Sequence, residues 1–257
     1  MKPAVLIILM SASLAAAQGT IINASAIDHL LVLQKVYVNG DGPFRMMVDT
    51  GNASSLVRPS IARKLGLHRT GWLQQGTAAT DRPVPAAWLD EVQVGNVIDK
   101  TVEVMIADVK FSGVDGVLGQ SWLVRHDYLL DYRNHRLVID GEAPKGGVRA
   151  ALRSPDGRPA VVAEVSGRGQ ELIIDSGAHL LVLFERPLPV RQLRLLTNSD
   201  SVVAQGCSAM VAIGDGYRRR MATAKVSAPR PSPGLLPAGA FSSVYVSNRE
   251  GIVVLIP

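Results

Sequence analysis

Two aspartates of this sequence lie in closely matching surroundings, each at the end of an apolar stretch. Asp49 stands in MMVDTGNASSLV (46–57), and Asp175 stands in ELIIDSGAHLLVLF (171–184). In both motifs a small hydroxyl residue and then a glycine follow the acid. Two carboxyl groups held within contact distance cannot both ionise easily, so they share a proton. Such a pair can supply a general base and a general acid to one reaction.

The similarity around the two aspartates extends over much of the chain. Further blocks recur in the same order: VYVNGDGPFRMMVDTG (36–51) as VVAEVSGRGQELIIDSG (161–177), VQVGN (92–96) as VAIGD (211–215), and GVLGQSWLVRHDYLLDYRNHRLVI (116–139) as GLLPAGAFSSVYVSNREGIVVLI (234–256). Ordered recurrence of this kind is hard to attribute to chance. It predicts an internal repeat of two related halves.

The N-terminus is predicted to be a secretory signal peptide. Lys2 gives a positive start, an apolar run follows, and small residues end at Ala17, before Gln18. This pattern predicts cleavage near Ala17 and a secreted or periplasmic protein with no stable membrane insertion after cleavage. The apolar run is too short for a comfortable transmembrane span, although an uncleaved anchor is the alternative.

The repeat and the signal peptide divide the chain into four segments. Residues 1–17 are the signal peptide, 18–141 the N-terminal half, 142–156 a linker rich in Gly and Pro, and 157–257 the C-terminal half. Glycine, proline and charged residues cluster in the linker, which is the composition expected between two packed units.

Each half is predicted to be mostly β. Apolar stretches flank Gly- and Asn-containing turns, as at 85–94 and 100–109 on either side of Gly95-Asn96. A short helix is predicted over PSIARKLG (59–66), with Ser60 as its N-cap.

Composition and charge restrict the classes of function. The sequence has 257 residues, of which 47% are hydrophobic, and a net charge of +5. The run Arg218–Arg220 is interpreted as a solvated turn between strands. Without interleaved aromatic residues, it does not indicate nucleic-acid binding. Cys207 is the only cysteine, so no intramolecular disulfide can form, and we expect it to be a small buried residue.

The sequence lacks the patterns of two other hydrolytic chemistries. Its histidines show no metal spacing such as H-E-x-x-H. Gly119-Gln120-Ser121-Trp122 lacks the second glycine of a G-x-S-x-G nucleophile elbow, which argues against a serine hydrolase.

The paired D-T-G and D-S-G motifs, each followed by a block such as GVLG, resemble the aspartic proteases. In detail the chain resembles the retropepsin-like group of bacterial secreted proteins, with two fused halves in place of a homodimer. The resemblance covers nearly all of the chain after the signal peptide. It implies an all-β, bilobal acid-protease fold in which Asp49 and Asp175 meet as the catalytic pair at a central cleft. Such a pair needs no metal and no cofactor.

The resemblance also implies how the pair is supported. Gly51 and Gly177 would let the backbone pass close and donate N–H groups to the carboxylates. Thr50 and Ser176 would cross-bond the two loops beneath the pair. Asn52 would hydrogen-bond Asp49 and favour its charged form, or would only shape the turn.

The block under the second loop departs from the family pattern. Val117-Leu118-Gly119 would pack under the first loop, whereas the second half has Leu235-Leu236-Pro237. Proline stands where the family usually has glycine, which leaves open how tightly the second loop is braced.

Two polar segments are interpreted as flaps over the cleft, or else as ordinary surface loops. They are GTAATDRPVP (76–85) and TNSDSVVAQG (197–206), and neither has the Tyr of the pepsin flap. The predicted substrate-binding residues are Thr77, Ala78, Ala79 and His179.

The sequence therefore favours a monomeric aspartic endopeptidase, secreted or periplasmic, that acts on a peptide or protein substrate. The alternative is a non-catalytic peptide-binding module that keeps the cleft. A peptide-binding module would have no need of both acids, which argues against that alternative. Pro237 is the main argument in favour of it.

Overall fold

The computed structural model describes residues 19–28, 30–76, 81–184, 192–196, 201–226 and 234–257. About 60% of the chain is strand. The elements of the first part are β1 (Thr20–Ile27), β2 (Leu30–Val38), β3 (Asp41–Val48), β4 (Ser55–Val57), α1 (Pro59–Lys64), β5 (Gly71–Gly76), β6 (Asp81–Val94), β7 (Val97–Ile106), β8 (Gly116–Leu118), α2 (Gln120–Leu123), β9 (Tyr128–Asp131) and β10 (Arg136–Ile139).

The second part follows a similar succession, and the helical elements among its described residues are two 3-10 turns. Its elements are β11 (Val148–Ala151), a 3-10 turn (Pro155–Gly157), β12 (Ala160–Val165), β13 (Arg168–Asp175), β14 (Leu181–Phe184), β15 (Gln192–Leu196), β16 (Ser201–Ile213), β17 (Tyr217–Val226), β18 (Gly234–Pro237), a 3-10 turn (Ala238–Ala240), β19 (Ser243–Ser247) and β20 (Ile252–Ile256).

The two parts share one strand order. The first runs β2-β3-β8-β4-β7-β6-β5, and the second runs β12-β13-β18-β14-β17-β16-β15. An extra pairing curls each sheet back on itself, β2 with β6 and β12 with β16. The predicted all-β architecture of two related lobes is thus confirmed.

A third group of strands joins the lobes. The order β11-β20-β19-β9-β10-β1 continues into β2 of the first lobe. Strand β19 pairs antiparallel with β9, with Val244 opposite Leu130. Strand β11, which forms within the segment predicted as the linker, pairs with β20. The last strands of the chain, together with β11, therefore complete a sheet whose other strands come from the first part.

Side-chain alternation along β3 explains where Asp49 emerges. Met46 and Val48 point into the main core, while Met47 points into a second, smaller cluster on the opposite face of the strand. Successive side chains of a strand face opposite ways. Asp49 therefore leaves the strand on the side of Met47, which the hairpin of β5 and β6 covers with Leu73 and Val84.

Three local predictions were wrong. Arg218–Arg220 lie within β17, where all three are exposed, because the hairpin of β16 and β17 runs out to a turn at 214–216. Cys207 is exposed on β16. Helix α1 begins at Pro59 with Arg58 as its N-cap, since Pro suits the first helical position and has no N–H to be capped.

Within the described residues, no helix has the length and apolar character needed to span a membrane.

Candidate active site

The loops that carry the two aspartates start at equivalent places in the two lobes. Strand β3 runs parallel to β8, and the Asp49 N–H donates to the Leu118 carbonyl at 3.0 Å. Strand β13 runs parallel to β18, with Asp175 in register with Pro237. Asp49 is 3% exposed, and Asp175 is partly buried. Each acid thus projects from the end of a strand anchored in its lobe.

Thr50 and Ser176 join the two loops by reciprocal hydrogen bonds. The Thr50 N–H donates to the Ser176 Oγ at 2.9 Å, and the Ser176 N–H donates to the Thr50 Oγ1 at 3.0 Å. Each hydroxyl also donates to a carbonyl of the opposite lobe, Thr50 Oγ1 to Ile174 at 2.6 Å and Ser176 Oγ to Val48 at 2.9 Å. All four bonds are buried, so the lobes are fixed together directly beneath the acids.

The glycines of the two motifs bring each loop against the opposite acid. A Cβ at Gly51 would lie 2.4 Å from the Asp175 Cγ, and one at Gly177 would lie 2.9 Å from the Asp49 Oδ2. Neither approach leaves room for a side chain. The same glycines donate backbone N–H groups, Gly51 to Asp49 Oδ1 at 3.0 Å and Gly177 to Asp175 Oδ1 at 2.7 Å.

The electrostatics of the pair favour a bound proton. Burial, followed by the charge of Asp49 and a side-chain hydrogen bond with it, raises the pKa of Asp175 to about 8. The Gly177 N–H and the charge of Arg158 act in the opposite direction. Two acids in this arrangement titrate as a unit, so the raised pKa belongs to the pair as well as to Asp175.

Asn52 contacts the acid of its own loop. Its Nδ2 donates to Asp49 Oδ2 at 3.3 Å. The matching residue of the second loop is Ala178, which has no amide to donate. Asn52 thus lies beside Asp49, and its role in supporting the charge of that acid stays a prediction.

Sequence reasoning missed three residues near the pair. Gln120 is buried and donates from Nε2 to the Thr50 carbonyl at 2.9 Å. Tyr132 has a buried hydroxyl close to Ser176, and burial followed by the charges of Asp175 and Asp49 raises its pKa. Arg158 donates from Nη1 to the Gly51 carbonyl at 3.4 Å. Gln120 directly follows the GVLG block, which was the available signal for it.

Only one of the four predicted substrate-binding residues lies in the described part of the chain. Thr77, Ala78 and Ala79 lie outside the described residues. The strands on either side of them form an antiparallel hairpin, with Gly76 opposite Asp81. His179 is exposed in the bend between the second acid and β14.

Comparison with known proteins gives the same family resemblance. Residues 34–122 match the family model of aspartyl proteases. Among solved structures, an aspartic proteinase from Irpex lacteus matches with a TM-score of 0.62 at 11% identity, over 93% of this chain and 97% of that one. A retropepsin-like aspartic protease from Rickettsia conorii matches with a TM-score of 0.35 at 21% identity, over 47% of this chain and 87% of that one. No curated protein matches the sequence.

At 11% identity, the likeness to the Irpex lacteus proteinase concerns the fold. The family match concerns the sequence around the first acid, and together they confirm the resemblance predicted from the two motifs. The chain therefore has the bilobal fold of the aspartic proteases, and its first half carries the sequence signature of that family.

Proposed function

We propose that this protein is an aspartic endopeptidase that hydrolyses peptide bonds with a water activated by Asp49 and Asp175. The observation that carries the proposal is the contact of the two acids across cross-bonded loops, where Gly51 abuts the Asp175 carboxyl group and Gly177 abuts that of Asp49. Burial and the neighbouring Asp49 together raise the pKa of Asp175, which supports a proton shared by the pair.

The proposed reaction uses one ionised and one protonated acid. Asp49, which accepts a hydrogen bond from the amide of Asn52, takes a proton from the water while the water oxygen attacks the scissile carbonyl carbon. Asp175 gives its proton to the carbonyl oxygen, so a neutral tetrahedral diol forms. Asp49 then protonates the leaving nitrogen, Asp175 recovers a proton from a diol hydroxyl, and the C–N bond breaks. The pair ends as it began.

The surroundings of the pair suit this cycle. The Gly51 and Gly177 N–H groups stabilise negative charge on the acids, and the cross-bonds of Thr50 and Ser176 limit movement between the lobes. Preorganised donors of this kind contribute more in a buried site than in water.

The signal-peptide pattern supports a secreted or periplasmic enzyme, and the fusion of two lobes in one chain supports a monomer. We further propose extended peptides with apolar residues near the scissile bond as its substrates.

The test is cleavage of a random peptide mixture between acidic and neutral pH, read by mass spectrometry. Asp49→Asn and Asp175→Asn are each expected to abolish cleavage while the fold persists, because Asn is close to isosteric with Asp. Asp215→Asn, which changes an exposed acid in the turn between β16 and β17, is the matched control and should retain activity. Full activity in either dyad variant would contradict the assignment. Binding of peptides without cleavage by the wild-type protein would support the binding module instead.

A further inference from the structure

Arg158 brings a positive charge to the edge of the acid pair. It lies between the Pro155–Gly157 turn and β12, and its Nη1 donates to the Gly51 carbonyl at 3.4 Å. Gly51 is the residue whose added Cβ would lie 2.4 Å from the Asp175 Cγ. One small residue therefore separates the guanidinium from the second acid.

The environment of this arginine is unusual for a surface cation. Its side chain is 21% exposed, and its Nε is buried without a hydrogen-bond partner among the described residues. Nη2 contacts Asp156 at 3.3 Å, an acid that is 75% exposed. Burying a guanidinium with incomplete pairing costs stability. A favourable effect of this charge on the acid pair would explain why a buried, incompletely paired arginine stands here despite its cost in stability.

The first lobe has no such charge at the matching position. Ala160 is in register with Ile173, and Val32 with Met47. Ile173 and Met47 each lie two residues before the aspartate of their lobe, so Arg158 corresponds to Leu30. Leu30 is fully buried in the apolar cluster. The two acids therefore have similar loops and different neighbours.

The other groups around Asp175 in the described part of the chain do not supply this positive charge. Asp49 carries negative charge, Tyr132 presents a phenol whose pKa is raised, and Asp156 is an exposed carboxylate paired with Arg158. His179 lies on the same loop but is exposed. Burial and the charge of Asp49 raise the pKa of Asp175, whereas the charge of Arg158 lowers this pKa.

We propose that Arg158 is a positioning residue of the acid pair: its permanent positive charge favours the singly ionised pair, so that the pair keeps its negative charge at lower pH. The inference rests on the proposed function for its consequence in catalysis. A guanidinium remains charged in proteins, so the effect does not itself depend on pH. Through the Gly51 carbonyl, the same side chain also ties the linker-side turn to the first loop.

Three substitutions separate charge from contact. Arg158→Lys keeps the charge but loses the planar fork, Arg158→Gln keeps an N–H donor without charge, and Arg158→Leu reproduces the residue of the first lobe. Arg153→Leu removes an exposed arginine from the same segment and is the matched control.

The pH profile of kcat/KM is the first measurement. In Arg158→Gln and Arg158→Leu, both limbs are expected to move upward by about 0.5 to 1 pH unit, because an opposite charge nearby favours the ionised form. Arg158→Lys and Arg153→Leu should keep both limbs near the wild-type positions. Unchanged limbs in folded Arg158→Gln would overturn the proposal. An equal shift in the Lys and Gln variants would also overturn it, since that would show a structural role without charge.

A second measurement does not depend on activity. The carboxyl carbons of aspartate are labelled with 13C, and the buried pair is titrated by NMR in the wild-type protein and in Arg158→Gln. Uptake of the proton at higher pH in the variant is expected, and coincident titration curves would reject the inference. If the wild-type protein cleaves no peptide, the proposed function fails while this titration still decides the role of Arg158.

Discussion

The two loops that hold the acids are braced in different ways. The first loop receives polar contacts from α2 and the residue before it: Gln120 donates to the Thr50 carbonyl, and the Gly119 N–H donates to the Ser55 Oγ at 3.1 Å. The Ser55 N–H in turn donates to the Ser121 Oγ at 2.9 Å. The second lobe has a three-residue 3-10 turn at this place, Ala238–Ala240. None of its side chains can make an equivalent hydrogen bond.

The polar pairs of the first lobe are replaced together in the second. Leu56 pairs with Val117 and Val182 with Leu235, so Leu181 is the counterpart of Ser55, as Pro237 is of Gly119. A donor without its acceptor would be costly, whereas apolar replacement of both partners is nearly neutral. Pro237 therefore leaves no orphaned hydroxyl, and its departure from the family pattern weakens the argument for a non-catalytic protein.

The space around Gly119 also differs from the space around its counterpart Pro237. A Cβ at Gly119 would lie 2.5 Å from the Ser54 carbonyl oxygen, so the first loop passes too close for any other residue. Proline is accommodated at the matching position of the second lobe, where the loop leaves space for its ring. We therefore expect the second loop to depend more on its cross-bonds to the first loop than on support from its own lobe.

The largest expected effect comes from breaking those cross-bonds. Thr50→Val keeps the shape of the side chain but leaves the Ile174 carbonyl and the Ser176 N–H without their partner. Each buried unpaired group costs about 1–3 kcal/mol, so unfolding in urea should show a loss of about 2–6 kcal/mol. Thr70→Val, an exposed threonine with a longer bond of 3.4 Å, is the control. A loss as small as the control's would mean that the second loop is located by its own lobe.

Removing the polar brace of the first loop should have the next effect. Gln120→Ala introduces alanine, the residue that the second lobe carries at the matching position, Ala238. It leaves the buried Thr50 carbonyl without its hydrogen-bond donor, which should lower the free energy of unfolding by about 1–3 kcal/mol. Displacement of Asp49 should lower kcat/KM by about 10- to 100-fold. Gln93→Ala, whose amide contacts a carbonyl near the surface, is the control. If Gln120→Ala behaves like that control, the polar brace is dispensable in both lobes.

Protonation of the pair should appear in the stability of the fold. The pKa of Asp175 is raised from 3.8 to about 8, so the unfolded chain releases a proton between these pH values that the folded chain retains. The contribution of Asp175 to stability is therefore fully present at acidic pH and declines as pH rises towards 8. Asp175→Asn removes this loss and should raise Tm at pH 7 more than at pH 3.5, by about 2–4 °C for each kcal/mol gained. An equal change in Tm at both pH values would contradict the assigned proton.

The smallest effect is expected at Pro237. Pro237→Gly restores the family residue but not its partner, so it should only lose about 0.4–1 kcal/mol through the greater freedom of the unfolded chain. Its kcat/KM should equal that of the wild-type protein. The double variant Pro237→Gly/Leu181→Ser restores both partners and shows whether a polar brace improves the site. Higher activity in the single variant would mean that proline limits the second loop.

The recurring sequence blocks made the general fold predictable from the sequence, and they singled out the two aspartates. Strand patterns and the D-T-G and D-S-G motifs are local signals, and both motifs begin at the ends of strands as expected. Arg158 could not be found in this way, because it lies next to a segment whose Gly and Pro content predicts only a linker. Its proximity to Asp175 comes from the packing of β12 beside β13 and from the approach of Gly51 across the lobes.

Two other features could not be predicted from the sequence, for different physical reasons. Arg218–Arg220 interrupt the apolar alternation that identifies strands, although β17 obtains its backbone hydrogen bonds from β16 regardless of side chain. The pairing of β19 with β9 is a contact between distant parts of the chain, and no local pattern encodes it.

That pairing has a consequence for the order in which the protein is made. Strand β9 meets β19 only after every strand from β10 to β18 has been synthesised. At about 5–20 residues per second the wait is on the order of ten seconds. During that time one side of β9 is an open edge, able to pair with strands of other chains. A first lobe that folds before β19 is available therefore carries an exposed strand edge until that strand covers it.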